Sequence, residues 1–203
     1  MKQFVFASRN AHKAKEVEAI LKEKLHFDFE ILTLDDIGFK GEIEENGSTF
    51  EENAMIKARA AFDFSSIPSF ADDSGLVVDA LDGAPGIFSA RFASTDGRDA
   101  NDEDNNDLLL KKLEGKTDRS ARFVAAVAYI DGDTSFTRRG EVEGEILHER
   151  VGEGGFGYDP LFFCREINKC FGAVPASEKN KISHRARAFQ ALADELNKSK
   201  ETK

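Results

Sequence analysis

The sequence predicts an α/β domain built on a mixed central β-sheet flanked by helices. Three observations carry this prediction. A strand–turn–helix unit opens the chain, two strands resembling a hairpin cover residues 123–146, and apolar residues recur at helical spacing in three segments. With 203 residues, 40% of them hydrophobic and 18 of them Phe, the chain is long enough for a substantial core. We expect a single domain over residues 1–203.

The helices are predicted from their periodicity and their boundaries. Residues 11–25 place Val17, Ile20, Leu21 and Leu25 on one face, directly after a buried strand over residues 3–7. Ser48 and Glu51 fit a capping box that opens a second helix, which ends before Pro68. A last helix is expected over residues 183–197.

The remaining segments are predicted as short strands and loops. Short strands are expected on either side of Asp72–Gly75, over residues 69–71 and 76–81. Residues 94–107 carry six acids and one Arg and are expected to form a solvated loop and a helix start, with Leu108, Leu109 and Leu113 burying the rest of that helix. A turn at residues 131–133 joins the two hairpin strands, and a strand over residues 161–164 follows a glycine-rich loop.

Composition excludes several functional classes. A formal net charge of −10 argues against nonspecific binding to nucleic acid or to an anionic membrane, but not against a small anionic substrate. Two cysteines are too few for a disulfide framework or a zinc site. No apolar run approaches the ~20 residues of a membrane span, and the N-terminus lacks a signal-peptide pattern, so we expect a cytoplasmic protein.

Two glycine motifs resemble nucleotide-binding patterns but lack the neighbouring elements or residues that such sites require. Residues 152–157 match G-x-G-x-x-G, but a proline and a strand-like run follow where a dinucleotide site needs a helix. Gly115-Lys116-Thr117 resembles the end of a P-loop, yet Leu110 stands where the first glycine belongs. Neither motif predicts a site.

The join between the first strand and the first helix is a candidate phosphate site. A helix N-terminus attracts anions, and Lys13 lies within its first turn. The alternative is an ordinary cap, made by Ser8 or Asn10, beside a solvated lysine.

Carboxylates near the second helix suggest metal and proton chemistry. Asp72 and Asp73 are expected at a strand end, where they would suit Mg²⁺ or accept a proton from water; an Asx-type turn is the alternative. Asn53 and Lys57 share a helix face that follows the acidic segment of residues 42–47, which would otherwise be a solvated charge run.

Two later clusters could contact a base. Phe156 could stack on a flat ring and Asp159 could accept from ring N–H groups, unless this is simply a packed loop. Residues 177–185 gather basic and imidazole groups in an acidic chain, although a basic helix cap would look the same.

Five segments in order carry a family resemblance: FVFASRNAHKAKEVEAIL, EENGSTFEENAMIKARAA, FADDSGLVVDALDGAPGIFSARFA, GEGGFGYDPLFF and SEKNKISHRARAF. Together they resemble the inosine triphosphate pyrophosphatase family over almost the whole chain. The resemblance implies an elongated sheet, two lobes with a cleft between them, a homodimer, and Mg²⁺-dependent hydrolysis of ITP, dITP and XTP to the monophosphate and pyrophosphate.

The resemblance also assigns roles to residues. Asp73 would be the proton acceptor, and Glu44 with Asp73 would bind Mg²⁺, supported by Asp72. Relatives commonly have Gly where this chain has Arg9, so Arg9 either alters the loop geometry or adds a phosphate contact. The implied substrate-binding residues are Ser8, Arg9, Asn10, Ala11, His12, Lys13, Asn53, Lys57, Ser74, Phe156, Gly157, Tyr158, Asp159, Lys179, His184 and Arg185.

Two other functions compete with this one. A related pyrophosphatase could prefer modified or pyrimidine triphosphates, and a nucleotide-binding regulator could bind without chemistry. The Asp72, Asp73, Glu44 and Lys13 set argues against the regulator, because a pure binder has no evident need for a metal-bound base.

Overall fold

The protein, described by a computed structural model over residues 1–95, 99–132 and 134–201, is built on a seven-stranded sheet. At His12 and at residues 199–201 only the backbone is described. The sheet order is β2-β1-β3-β4-β5-β6-β7. β1 runs parallel to β2 and β3, whereas β6 runs antiparallel to β5 and β7, which confirms the mixed sheet. The strands are β1 (Lys2–Phe6), β2 (Phe29–Thr33), β3 (Ser69–Val78), β4 (Ser120–Asp131), β5 (Thr134–Ile146), β6 (Phe162–Cys164) and β7 (Lys169–Cys170).

Five α-helices flank the sheet in the described part of the chain. The first, second and last follow the predicted periodicity closely. None of the helices in the described ranges has an apolar stretch sufficient to cross a bilayer. The helices are α1 (Ala11–Lys24), α2 (Phe50–Ser65), α3 (Asp102–Lys112), α4 (Ala176–Ile182) and α5 (His184–Glu201).

The chain divides into two compact units. Unit 1 comprises Met1–Asp73, Ala125–Gly140 and His184–Lys203, and unit 2 comprises Ser74–Val124 and Glu141–Ser183. The cleft that the resemblance implies stays a prediction.

The core of unit 1 follows from alternation along β1. Phe4 and Phe6 point into a cluster with α1 and α5, whereas Val5 and Ala7 point into a second cluster with α2. All four side chains are buried, because successive residues of a central strand face the two opposite layers of helices. The small residues on the buried face of α2 allow that helix to lie close to the sheet.

The core of unit 2 is centred on aromatic rings. Phe162 lies 4.6 Å from Phe123 and 5.2 Å from Phe171, centroid to centroid. Leu109 and Leu113 add the apolar side of α3, as the sequence predicts. Part of the acidic loop before α3, residues 96–98, lies outside the described residues, as does Asp133 of the predicted turn between β4 and β5.

The prediction of two short strands around Asp72 and Asp73 is wrong, because β3 is one ten-residue strand that carries both carboxylates in its middle. It ends at Val78, so the second predicted strand is also too long. Buried carboxylates inside a strand look like a turn in the sequence, since the cations that compensate them come from distant segments.

Smaller differences concern boundaries and short elements. The N-cap of α2 is Thr49, whose side chain accepts from the Glu52 N–H, so the capping residues lie one position later than predicted. The Glu52 carboxylate accepts from the Ser48 N–H at 2.6 Å. β2, β7 and α4 were not predicted, because they are short and lack strong periodicity.

Candidate active site

The loop between β1 and α1 presents a capped helix N-terminus. Asn10 is the capping residue, because its Oδ1 accepts from the Lys13 N–H at 3.1 Å. Ser8 Oγ accepts from the Asn10 N–H, also at 3.1 Å, and shapes the turn into the helix. The first turn of α1 contains no acidic residue, so nothing in it opposes an approaching anion. Ala11 is exposed in that turn, and the side chain of His12 lies outside the described residues.

A buried chain of charges links α1, β3 and α5 within unit 1. Asp72 Oδ2 lies 3.4 Å from Lys13 Nζ and accepts from Arg185 Nε at 3.1 Å. Arg185 Nη1 donates in turn to Glu16 Oε2 at 2.5 Å. Asp72 and Arg185 are almost completely buried, so each of these charges depends on its partners.

This network determines the ionisation of Asp72. Burial disfavours the charged carboxylate, yet Lys13 and Arg185 more than offset it and hold the pKa of Asp72 far below its ordinary value. Burial lowers the pKa of Lys13, while Asp72 opposes that shift. Asp72 is therefore ionised at neutral pH and pairs with Lys13 at the start of α1.

A second cluster surrounds Asp73, the next residue of β3. Asn53 Nδ2 donates to Asp73 Oδ2 at 3.2 Å, and Lys57 Nζ lies 3.5 Å from Asp73 Oδ1. Lys57 also donates to Glu45 Oε2 at 2.8 Å, so its ammonium group bridges two carboxylates. Asn53 and Lys57 are one helical turn apart on α2, which confirms that they share a face.

The electrostatics of this cluster differ from those of Asp72. Burial, together with the nearby Glu45, raises the pKa of Asp73, although Lys57 opposes the shift. Burial opposes the charge of Lys57, but Asp73 and Glu45 raise its pKa above the ordinary value. Two adjacent carboxylates therefore have pKa values that are shifted in opposite directions.

The donor set near Asp73 suits a hard divalent cation that also binds the substrate. The described residues contain no group of three or more His, Cys, Asp or Glu side chains that could enclose a metal. Asp73 and Glu45 nevertheless offer two carboxylates beside one lysine. Mg²⁺ commonly binds through one or two carboxylates and takes its other ligands from water and phosphates. The residues fit Mg²⁺ on those terms.

Sequence reasoning missed two acidic residues of these clusters, Glu16 and Glu45. Glu16 lies three residues after Lys13, a spacing that places both on neighbouring positions of α1. Glu45 lies next to the predicted ligand Glu44, which is exposed in this structure. The assignment of Glu44 to Mg²⁺ stays a prediction.

Unit 2 contains a buried ion pair beneath a half-exposed ring. Lys179 Nζ lies 2.5 Å from Asp159 Oδ2, and both side chains are buried. Asp159 Oδ2 also accepts from the Phe156 N–H at 3.0 Å. Lys179 lies 4.7 Å from the centroid of the Phe156 ring, which is 38% exposed. Gly155, with φ +79°, allows this approach because a Cβ there would lie 2.1 Å from Asp159 Oδ2.

The loop after Gly155 is attached to its own unit at three points. The Gly157 N–H donates to Asp102 Oδ2 at 2.6 Å, and the Gly157 carbonyl accepts from Asn106 Nδ2 at 2.9 Å. Tyr158 Oη donates to the Ser89 carbonyl at 2.8 Å. Tyr158 is therefore a buried anchor of the loop, and a contact between its side chain and substrate stays a prediction.

The other predicted residues lie in β3 and in the first turn of α5. Ser74 is half-buried in β3 directly after Asp73, and His184 is buried at the first residue of α5. Arg185 donates to Asp72 and Glu16. A base-recognition role for His184 or Arg185 stays a prediction. The loop over residues 152–157 is followed by a single 3₁₀ turn and β6, which confirms the prediction that a strand and not a helix follows this loop.

Comparison with known proteins identifies the family. A model of the Ham1 family matches residues 4–195. The dITP/XTP pyrophosphatase of Geobacter sulfurreducens is 45% identical over 199 residues, covering 97% of both chains. That of Listeria monocytogenes is 48% identical over 200 residues, covering 97% of this chain and 95% of the relative.

Solved structures agree with this assignment. A HAM1 protein from Coxiella burnetii superposes with a TM-score of 0.88 and 36% identity, covering 98% of this chain and 100% of that one. The Staphylococcus aureus Ham1 protein gives 0.86 and 37%, with the same coverage. These matches confirm the resemblance carried by the five sequence segments, and the chain belongs to the Ham1 family.

Proposed function

We propose that this chain is a Mg²⁺-dependent pyrophosphatase that hydrolyses the noncanonical purine triphosphates ITP, dITP and XTP to the monophosphate and pyrophosphate. Its relatives at 45–48% identity are named dITP/XTP pyrophosphatases. The observation that carries the proposal is Asp73, a buried carboxylate of raised pKa between Lys57 and Asn53. It lies directly beside Asp72, which pairs with Lys13 at a helix N-terminus.

The loop of residues 8–13 holds the triphosphate in this proposal. The N-terminus of α1 and the Lys13 ammonium group offer charge-assisted hydrogen bonds to phosphate oxygens. Asp72 keeps the Lys13 side chain at that position. Because Lys13 belongs to a pair of largely buried charges, it is already desolvated and positioned before substrate binds.

Asp73 accepts the proton of the attacking water. The water oxygen bonds to phosphorus, the bond to the departing pyrophosphate breaks, and the proton moves to Asp73. The raised pKa makes this carboxylate a stronger base. Asn53 and Lys57 each contact one oxygen of Asp73 and so orient it.

Asp73 with Glu45, or with the exposed Glu44, would hold the Mg²⁺. The ion supplies positive charge that neutralises the triphosphate oxygens. Lys57 is positioned to add to that charge, since it already bridges Glu45 and Asp73.

Base selection follows from the chemistry at position 6. Donors that face a 6-oxo group lose their partner when a 6-amino group replaces it, at a cost of about 1–3 kcal/mol for each buried donor. We propose that Phe156 stacks on the base and that Asp159, Lys179 and His184 lie around its edge. Lys179 and Asp159 would hold the Phe156 ring in a fixed position for stacking. We also propose a homodimer in the cytoplasm.

The test is hydrolysis across ITP, XTP, dITP, ATP, GTP, dUTP and methylated nucleotides with Mg²⁺. We expect pyrophosphate release with the highest kcat/KM for ITP, dITP and XTP. A preference for pyrimidine or methylated triphosphates would show that the chain is instead a related pyrophosphatase with that substrate class. Nucleotide binding without release of pyrophosphate would indicate a regulator.

A further inference from the structure

The guanidinium group of Arg9 contacts other residues of the protein. Arg9 Nη2 donates to the carbonyl oxygens of Phe39 at 3.0 Å and of Gly41 at 2.8 Å. Arg9 Nε lies 3.9 Å from Asp35 Oδ1, and the guanidinium lies 6.0 Å from the centroid of the Phe39 ring. All four contacts reach one stretch of chain, residues 35–41.

That stretch leads directly into the segment that carries Glu44 and Glu45. We call residues 42–47 the carboxylate segment. It contains no helix or strand, and its side chains are exposed or only partly buried. Ile43 packs against the core cluster that includes Ala54 and Ala58, and the rest of the segment depends on hydrogen bonds and ion pairs.

The carboxylate segment is attached to α2 at its far end. The Gly47 N–H donates to Asn53 Oδ1 at 2.9 Å, and Glu45 pairs with Lys57. At its near end the corresponding attachment is Arg9, which belongs to the loop before α1. Phe39 is held from a second side by the Phe64 ring, at 5.2 Å between centroids.

We propose that Arg9 is a positioning residue that joins the phosphate-binding loop to the carboxylate segment and is not itself a phosphate ligand. The two donors of Nη2 are already occupied by carbonyl oxygens. Glu45 is four positions after Gly41, a reach of at most about 14 Å. A displacement of Gly41 therefore affects the position of the Glu45 carboxylate, which pairs with Lys57.

Arginine suits this role because its rigid planar group directs Nη2 to two carbonyl oxygens while Nε faces Asp35 and the plane lies near the Phe39 ring. A lysine carries one ammonium group on a flexible chain and cannot reproduce this set of contacts. A phosphate contact depends mainly on charge, so Arg9→Lys would preserve it. The attachment to residues 35–41 depends on the planar group as a whole, so Arg9→Lys would lose most of it.

The experiment compares wild type, Arg9→Gly and Arg9→Lys by amide hydrogen exchange without ligand and by kinetics on ITP. We expect exchange in residues 41–47 to become about five- to tenfold faster in both variants, with α1 unchanged. We also expect kcat to fall about three- to tenfold in both, with KM within about twofold of wild type. Residues that support a metal ligand without touching the metal commonly change activity about 10- to 100-fold when they are substituted. We expect effects at or below the low end of that range, because Arg9 is partly exposed.

Three results would overturn the proposal. Unchanged exchange with a KM increase in Arg9→Gly that Arg9→Lys reverses would make Arg9 a phosphate ligand. Unchanged exchange and kinetics would make it an ordinary surface residue. Faster exchange with unchanged kcat would make it structural only. The kinetic arm rests on the proposed function, whereas the exchange arm does not: a wild type inactive on ITP would refute the proposed function and leave exchange to test the attachment.

Discussion

The buried charge of Asp72 provides the sharpest energetic prediction. Replacing Asp72 by Asn removes the anion that faces both Lys13 and Arg185, while the side-chain volume stays nearly constant. Removing one partner of a buried ion pair costs about 3–5 kcal/mol, because the remaining charge is left uncompensated. Glu16 still accompanies Arg185, and the Lys13 side chain keeps 19% exposure. We therefore expect the low end of that range, about 3 kcal/mol.

Asp131→Asn is the matched control. Asp131 lies at the same 3.4 Å from the Nζ of Lys2, within the same unit, but the two side chains are 44% and 38% exposed. Exposed pairs contribute about 0–1 kcal/mol, so the two variants differ mainly in burial. Urea unfolding at pH 7, followed by far-UV circular dichroism, measures both. Equal losses, or a loss below about 1 kcal/mol for Asp72→Asn, would refute the account of the network.

The pH dependence of the Asp72→Asn effect has a defined sign. The pKa of Asp72 is lower in the folded state than its ordinary value of 3.8, so its contribution is present above that value and disappears as pH falls below it. The stability difference between wild type and variant should be constant from pH 5 to 8 and shrink below about pH 4. A difference that grows on acidification would contradict this interpretation.

The other predictions concern catalysis, unit 2 and one close contact. Asp73→Asn should reduce ITP turnover at least about 100-fold, because the proton acceptor and one proposed Mg²⁺ ligand are lost. Nucleotide affinity, measured by calorimetry, should stay within about threefold, because Lys13 and the N-terminus of α1 remain; near-normal turnover would contradict this. Lys179→Met should cost about 3–5 kcal/mol in urea unfolding and Lys169→Met, in an exposed pair, below about 1 kcal/mol; similar losses would argue against a buried pair. Gly140→Ala should lower the free energy of unfolding by about 1–3 kcal/mol, because the added Cβ would lie 2.3 Å from a carbonyl oxygen at the start of α5. Gly41→Ala is the control, since its Cβ would meet only ordinary contacts. Equal stability of the two variants would show that α5 adjusts freely.

Periodicity predicted the elements whose stability comes from a buried face. The first, second and last helices were found because their apolar residues recur every three or four positions. β2 was missed because Phe29–Thr33 is short and only partly buried on both sides. Local sequence patterns therefore predict an element well when one face is fully buried along its length, and poorly when its side chains are only partly buried.

The site was predictable in its residue types but not in its pairings. Asp72 and Asp73 were recognised as chemically important, yet they were placed at a strand end because residues 72–75 lie between two short apolar segments. Their compensation comes from Lys13, Lys57 and Arg185, at positions up to 113 residues away. Such long-range pairs leave no local signal in one sequence.

The central claim is that the chain cleaves a noncanonical purine triphosphate into monophosphate and pyrophosphate. The most direct measurement is the stoichiometry of products from ITP with Mg²⁺, separated by anion-exchange chromatography, for wild type and Asp73→Asn. We expect one IMP and one pyrophosphate for each ITP consumed by wild type, and almost no product from the variant. Formation of IDP and orthophosphate, or equal product formation by both proteins, would contradict it.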